Sequence, residues 1–293
     1  MPSLGKLLLV INPIAGKMRA KSIDFPALFP GYDITVYYTK DGMRTEKYVE
    51  ENAAGYSLVV CAGGDGTLNR VVNGLMRITP RPPLGYIPCG TTNDFATSLG
   101  IPKEPEQAAE AIRNGVPSPI DVGAFGTRHF TYVASFGAFS DSSYKASQDA
   151  KNRIGHMAYV FEAVRDLPNI RPCRMTVETE NGILKGEYIF GAVSNTTSLG
   201  GIMRLSPSDI SYDDGLFEVM LISMPRTAAD LQQIIFSLIR KQYNSELITY
   251  FKSGHLLFSM DQIFPWSLDG EYEEGGNIVE IKNRPKAIMM QLS

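Results

Sequence analysis

The sequence predicts an α/β plus mainly-β protein, with a doubly wound α/β domain at the N-terminus and an antiparallel β-sandwich domain at the C-terminus. Three observations predict it. The 293 residues exceed what one hydrophobic core usually organises. Strand-like and helix-like runs alternate over residues 1–122, the signature of a mainly parallel sheet covered on both faces. Over residues 123–283 strand-like runs separated by glycine and Asn/Asp turns take over. The last segment, 284–293, with its apolar run Ala287–Leu292, is expected to return to the first domain.

Lys6–Ile11 is a compact apolar run stopped by Asn12-Pro13, and it reads as a buried strand. Tyr32–Tyr38 and Ser57–Cys61 read as further strands, with helical character over Met43–Ala54 between them. Leu68–Met76 carries apolar residues at 68, 71, 72, 75 and 76, a helical spacing. Leu84–Ile87 is a short strand, and Glu104–Asn114 a helix ended by Gly115 at the usual C-terminal glycine position. In the second domain His129–Ala134, Arg174–Thr179, Glu187–Ser194, Leu216–Ile222, Leu247–Phe251, Leu256–Met260 and Asn277–Lys282 read as strands. Asn181-Gly182 is a hairpin signal. Two helices interrupt, Gln148–Leu167 and Thr227–Tyr243. The second has apolar residues at 231, 234, 235, 238 and 239, a stripe that core packing accounts for.

Hydrophobic residues at 44% and charged residues at 20% describe an ordinary folded protein, and a net charge of −3 argues against nucleic acid as a general partner. Three widely spaced cysteines, Cys61, Cys89 and Cys173, fit a reducing compartment better than a disulfide framework or zinc site. The N-terminal apolar run is too short for a signal peptide, and no stretch approaches the ~18 apolar residues of a membrane span, so a cytoplasmic protein is expected. His129, His156 and His255 form no metal or triad pattern, and G-x-S-x-G is absent.

The most informative segment, Cys61-Ala-Gly-Gly-Asp-Gly-Thr-Leu-Asn69, joins a predicted strand to a predicted helix. Gly63, Gly64 and Gly66 admit positive φ and close approach of a ligand. Successive amides of such a loop form an anion-binding nest, and the following helix adds its positive end. Thr67 can cap that helix or bond an oxyanion. Asp65 is out of place beside an anion unless a cation lies between, as Mg²⁺ carried by phosphates does. The loop is neither GxGxxG nor Walker A. The bland alternative is a glycine-rich βα turn.

Asn12-Pro13 ends the first strand at its carboxyl end, the edge where open parallel sheets bind ligands. Gly16, Lys17, Arg19 and Lys21 follow, a flexible turn with positive charge or simply a solvated basic stretch. Pro88–Asp94 follows another strand, and its Thr91, Thr92, Asn93 and Asp94 offer hydrogen-bonding groups in a row or cap the next helix. Asp269-Gly270-Glu271 reads by spacing as a hairpin turn.

Four segments in order, Asn12-Pro-Ile-Ala-Gly16, Gly63-Gly-Asp-Gly-Thr67, Pro88-Cys-Gly-Thr-Thr-Asn-Asp94 and Ser267-Leu-Asp-Gly-Glu271, resemble the diacylglycerol kinase catalytic family. That family also includes sphingosine, ceramide and bacterial lipid kinases. GGDGT alone is shared with NAD kinases and phosphofructokinases; the combination is more specific. The resemblance implies an ATP- and Mg²⁺-dependent lipid kinase that transfers the γ-phosphoryl group to a lipid hydroxyl, with diacylglycerol the leading acceptor. ATP and acceptor would meet in a cleft between the two domains.

By resemblance, Asn12, Pro13, Ile14, Ala15, Gly16, Thr39, Gly63, Gly64, Asp65, Gly66, Thr67, Leu68, Asn69, Thr91 and Asn93 form the nucleotide site, with Asn93 and Asp94 ordering it. Asp65, Asp94, Asp269 and Glu271 are the catalytic set. One of Asp269 and Glu271 would accept the proton of the attacking hydroxyl and the other hold metal or orient the base; which does which is open. Ser211-Tyr-Asp-Asp-Gly-Leu216 resembles a separate Mg²⁺ site formed by Asp214 with the Ser211 and Leu216 carbonyls, against the plain reading of an Asp-Gly turn. Ala15 and Met18 depart from the residues usual in the family without disabling it.

The implied partner is a lipid substrate at a membrane surface, met by transient peripheral contact. Lys145, Lys151, Arg153, Arg165, Arg171 and Arg174 would attract anionic lipid, although interleaved Asp149, Glu162 and Asp166 favour an ordinary helix face. The resemblance also admits a homodimer, which no residue pattern indicates. The competing readings are an NAD kinase-like or other small-molecule kinase, and a non-catalytic nucleotide- or lipid-binding protein on the same scaffold. The intact acidic set argues against the last.

Overall fold

The computed structural model describes residues 4–16, 23–40, 43–137, 172–199, 203–205, 210–240, 242–243 and 245–292. The chain divides into two compact units, Met1–Tyr132 with Tyr212–Gly215 and Arg284–Ser293, and Val133–Ser211 with Leu216–Asn283.

The first unit opens with β1 (Lys6–Ile11), β2 (Asp33–Tyr38), α1 (Met43–Asn52), β3 (Leu58–Gly63), α2 (Asp65–Leu75), β4 (Leu84–Pro88), α3 (Asp94–Ser98) and α4 (Pro105–Asn114). The hairpin β5 (Val116–Phe125) and β6 (Arg128–Phe130) follows. β1 pairs in parallel with β2 on one side and β3 on the other, and β3 with β4. Leu7, Leu8, Leu9 and Val10 are fully buried, and β3 and β4 are buried along their whole lengths. That is why these strands read as unbroken apolar runs: both faces of a parallel sheet are covered, and each such side chain contributes about 1.5–3 kcal/mol. Leu7, Leu9 and Ile11 face a cluster closed by Phe25, Phe29, Ala108 and Ile112. α2 packs on β3 and against α1, so closely that a Cβ on Gly74 would stand 2.6 Å from the Glu46 carbonyl oxygen.

The second unit contains β7 (Val133–Gly137), β8 (Cys173–Thr179), β9 (Gly182–Ser194), β10 (Ser198–Leu199), β11 (Met203–Arg204), β12 (Phe217–Ser223), α5 (Ala228–Ile239), β13 (Ile248–Ser253), β14 (His255–Met260), β15 (Trp266–Leu268) and β16 (Glu271–Glu273). The last strand, β17 (Ile278–Leu292), gives its first half to this unit, antiparallel to β14. Its end runs parallel to β4 in the first unit, where β5 also pairs with it. This pairing keeps the β5–β6 hairpin in the first unit beyond residue 122. β9 is long enough to pair with β8 through its first half and with β7 and β12 through its second. Phe136 of β7, Phe258 of β14 and Trp266 of β15 form one aromatic cluster, with ring centroids 4.8–6.2 Å apart.

Several details differ from the sequence reading. α2 begins at Asp65 instead of Leu68, because Gly64 takes the N-cap position with extended backbone. Gly115 caps α4 without a left-handed conformation. Its lack of a side chain serves instead to admit the Leu292 carbonyl of β17. The β8–β9 turn is Glu180-Asn181, one residue earlier than Asn181-Gly182, since Thr179 pairs with Gly182. α5 ends at Ile239. The helix expected over Gln148–Leu167 lies outside the described residues, as do Lys17, Met18, Arg19 and Lys21.

Polar pegs fasten the hairpin to α2. Asn69 and Asn73 both donate through Nδ2 to the His129 carbonyl oxygen at 3.0 Å, and the His129 amide donates to Asn73 Oδ1 at 2.9 Å. Burial first, then the charges of Arg284, Arg77 and Arg81, lower the His129 imidazole from 6.5 to about 4. Between those values an unfolded chain binds a proton that the folded one refuses. Stability is therefore expected to fall as pH drops from 6.5 towards 4 and to be indifferent to this group above 6.5. Urea midpoints of the wild type and His129→Gln across that window check this, and the variant is expected to lose part of the slope.

Candidate active site

Three turns meet at the carboxyl edge of the parallel strands. They follow β1, β3 and β4, and their backbones touch. A Cβ on Gly90 would stand 2.7 Å from the Gly64 Cα, and one on Gly16, at φ +55°, would collide with the Cys89 carbonyl oxygen. The Cys89 amide donates to the Gly63 carbonyl oxygen at 2.7 Å. Gly63, Gly64 and Gly66 do not adopt positive φ. Gly63 and Gly64 are needed for space. A Cβ on Gly63 would stand 2.7 Å from the Thr67 side chain.

Thr67 is buried and its Oγ1 accepts from Asn12 Nδ2 at 2.9 Å, which locks the turn after β1 onto the start of α2. Asn12 Oδ1 in turn accepts the Ile14 amide at 3.1 Å. Pro13 and Gly16 are half-buried, Ala15 is buried, and Ile14 projects into solvent at 83% exposure. Thr39 follows β2 beside the end of β1, its amide donating to Ile11 at 2.8 Å.

Asn93 adopts a left-handed conformation at φ 52°, ψ 51°. Its side chain folds back on Gly90, accepting that amide and donating to that carbonyl oxygen, both at 2.9 Å. The Tyr86 hydroxyl also donates to it, at 3.4 Å. Burial first and the Asp65 charge next push the Tyr86 phenol well above its ordinary range, so it stays a donor. Asn93 thus shapes the turn, in which Thr91 and Thr92 are exposed. Asp94 begins α3, and its amide donates to Asp65 Oδ2 at 3.1 Å. Asp65 and Asp94 are half-buried neighbours on two of the turns.

Leu68 and Asn69 lie inside the first turns of α2. Leu68 is fully buried and its amide is committed to the Gly64 carbonyl oxygen, as is that of Thr67. Asn69 is 2% exposed and faces the β5–β6 hairpin through its bond to His129.

In the second unit, Asp269 and Gly270 form the β15–β16 turn with φ 50° and 85°, the two-positive pattern that suits a tight hairpin. Asp269 is 3% exposed; its Oδ1 accepts the Val133 amide at 3.0 Å while its own amide donates to the Val133 carbonyl oxygen at 2.9 Å. Glu271, paired with Leu268, is half-buried on β16.

Ser211 and Leu216 are half-buried and flank the turn Tyr212–Gly215, in which Asp214 is exposed. That turn is tied to the first unit by Asp121, a residue the sequence reading passed over. Asp121 is fully buried, its Oδ2 accepts the Gly215 amide at 2.7 Å, its Oδ1 accepts the Lys286 amide at 2.8 Å, and its amide donates to the Tyr212 carbonyl oxygen at 2.7 Å. Among the described residues no group of three or more His, Cys, Asp or Glu side chains converges as a closed metal cage. Asp65 and Asp94 beside a glycine cradle instead suit a hard divalent cation that brings oxyanion ligands with it.

Known proteins carry the same architecture. A family model for the diacylglycerol kinase catalytic domain matches residues 6–125, and one for the YegS C-terminal NAD kinase beta sandwich-like domain matches residues 134–291. The chain is 35% identical over 244 residues to the diacylglycerol kinase of Bacillus subtilis (strain 168), covering 83% of this chain and 80% of that one. It is 31% identical over 276 residues to that of Staphylococcus epidermidis (strain ATCC 12228), covering 92% and 86%. A solved structure from Bacillus anthracis str. Sterne superposes with a TM-score of 0.80 at 26% identity, covering 98% of this chain and 95% of that chain. With the turns after β1, β3 and β4 in one unit, the antiparallel sandwich in the other and both family models matched in order, the chain belongs to the diacylglycerol kinase catalytic domain family.

Proposed function

We propose that this lipid kinase uses ATP with Mg²⁺ to phosphorylate the hydroxyl of diacylglycerol, yielding phosphatidic acid. The observation that carries the reading is the bond between Asp65 and the Asp94 amide at the rim of a cradle made of backbone. Two carboxylates at an oxyanion cradle make sense when a divalent cation accompanies the oxyanion. Asp65 and Asp94 would hold Mg²⁺, which supplies charge neutralisation on the phosphates when bound. The diacylglycerol kinase names of the relatives support the acceptor.

The turns after β1, β3 and β4 supply backbone donors for the phosphates, and α2 adds its positive N-terminal end. Asn12, Thr67 and Asn93 act by fixing those turns. Phosphoryl transfer rests on positioning and charge more than on a strong base. The acceptor hydroxyl oxygen forms the new bond to the γ-phosphorus, the bond to the β-bridging oxygen breaks, and ADP leaves. One of Asp269 and Glu271 takes the hydroxyl proton. Asp269 is anchored by Val133 and Glu271 is the more accessible of the two. Asp214, exposed in its turn, is a further carboxylate for a structural cation.

The direct test is ATP consumption with dioleoylglycerol in mixed micelles, with NAD as the competing acceptor; phosphatidic acid is the expected product, and turnover of NAD alone would overturn the assignment. Asp65→Asn and Glu271→Gln are each expected to lower kcat by about 10²–10⁴-fold with unchanged thermal unfolding. Asp269→Asn is the cleaner variant at the turn, because the amide keeps the acceptor for Val133 and tolerates positive φ while removing the charge; a fully active Asp269→Asn together with a fully active Glu271→Gln would remove the proton-accepting role. Gly90→Ala is expected to weaken ATP binding at least tenfold and to cost about 1–3 kcal/mol of stability, read by nucleotide titration and urea unfolding.

A further inference from the structure

Helix α5 shows the reverse of the usual burial pattern along part of its length. Leu231 and Ile234 pack inward as their spacing predicts, but the next inward position is Ser237, while Phe236 and Ile239 stand 54% and 51% exposed. Phe236 and Ile239 are three residues apart and so share one face. Phe236 borders an open groove of about 830 Å³ whose lining also includes Arg240 and Tyr243. Among the described residues that lining has one cation and no carboxylate. The one acid of the helix, Asp230, is engaged at the other end, where it closes a capping box with Thr227 and accepts the Arg226 and Thr227 amides. In the sequence Lys241 follows Arg240.

We infer that this face of α5 is a docking surface for an anionic lipid bilayer, with Phe236 and Ile239 entering the interface and Arg240 meeting the headgroups. Apolar residues beside a basic helix end are how a helix lies in a membrane surface without crossing it. No described helix is long and apolar enough to cross one. Two half-exposed side chains offer about 200 Å², far below the ~800 Å² per partner of a stable protein interface, whereas a bilayer needs only a few anchors and opposite charge. Of the basic residues that the sequence singles out for this role, Lys145, Lys151, Arg153, Arg165 and Arg171 lie outside the described residues, and Arg174 is paired with Glu187 at 2.7 Å. The inference rests on the lipid-kinase reading for the reason a bilayer is approached at all.

The test is co-sedimentation of the full chain, without nucleotide, with vesicles of equal parts phosphatidylcholine and phosphatidylglycerol. The double variant Phe236→Ser, Ile239→Ser is expected to partition at least about tenfold more weakly with unchanged near-ultraviolet circular dichroism. Arg240→Glu is expected to weaken binding to these vesicles and not to pure phosphatidylcholine. Unchanged partitioning of the double variant overturns the proposal, as does a dimer that dissociates in the double variant while vesicle binding persists. Phosphorylation of monomeric dihexanoylglycerol, measured in parallel, is expected in wild type and double variant alike; its absence from the wild type would count against the kinase reading, leaving the vesicle result to decide the docking surface.

Discussion

The backbone contact between Gly64 and Gly90 sets the rest of the site. A single added methyl on Gly90 would stand 2.7 Å from the Gly64 Cα, so the turns after β3 and β4 lie as close as two chains can. Everything nearby follows from holding that approach. Asn93 gives up an ordinary conformation and turns left-handed so that its amide group can clasp Gly90 at both its N–H and its C=O. Asn is among the few residues for which the left-handed region is cheap. Asp94 is thereby delivered to Asp65, and Thr67, given room by Gly63, receives Asn12 from the turn after β1. The cradle is rigid because its hydrogen bonds are made among its own members.

Asp121 plays the comparable part at the other end of the chain's path. A buried carboxylate is costly unless its oxygens are satisfied, and here each oxygen accepts a backbone N–H from a different distant segment, Gly215 and Lys286. Bonds to a charged acceptor contribute about 1.5–3 kcal/mol each. The two segments that the first unit recovers from far along the sequence therefore share one side chain as an anchor, with positive φ at both Gly215 and Lys286.

Much of this was legible in the residues. Strands buried on both faces announce themselves as unbroken apolar runs, and Cys61–Asn69 marks a strand, a glycine turn and a helix in the right order. What failed was inference from residue type to backbone or contact. Gly63 and Gly64 of the loop serve clearance instead of positive φ. Asn69 lies in the motif yet serves the hairpin, since one residue further along a helix turns a side chain by about 100°. Asp121 sits in a strand with no motif around it, and its partners are far off in sequence. The periodicity of α5 counted apolar positions, and periodicity does not say which of two apolar stripes the core accepts.

The turn at Asp269-Gly270 shows why spacing alone could not decide its role. Both residues have positive φ, a demand that Asp-Gly meets as well as any pair, so the dipeptide is explained by geometry before any chemistry is invoked. Geometry does not explain the burial. A turn residue chosen only for φ would leave its side chain in water, whereas Asp269 is 3% exposed and bound to the Val133 amide. Nor does the turn require an acid at the next position, where Glu271 is half-buried on a three-residue edge strand. An anchored carboxylate is thus followed two residues later by a more accessible one, and the proposed transfer would draw on both, one to orient the hydroxyl and one to receive its proton.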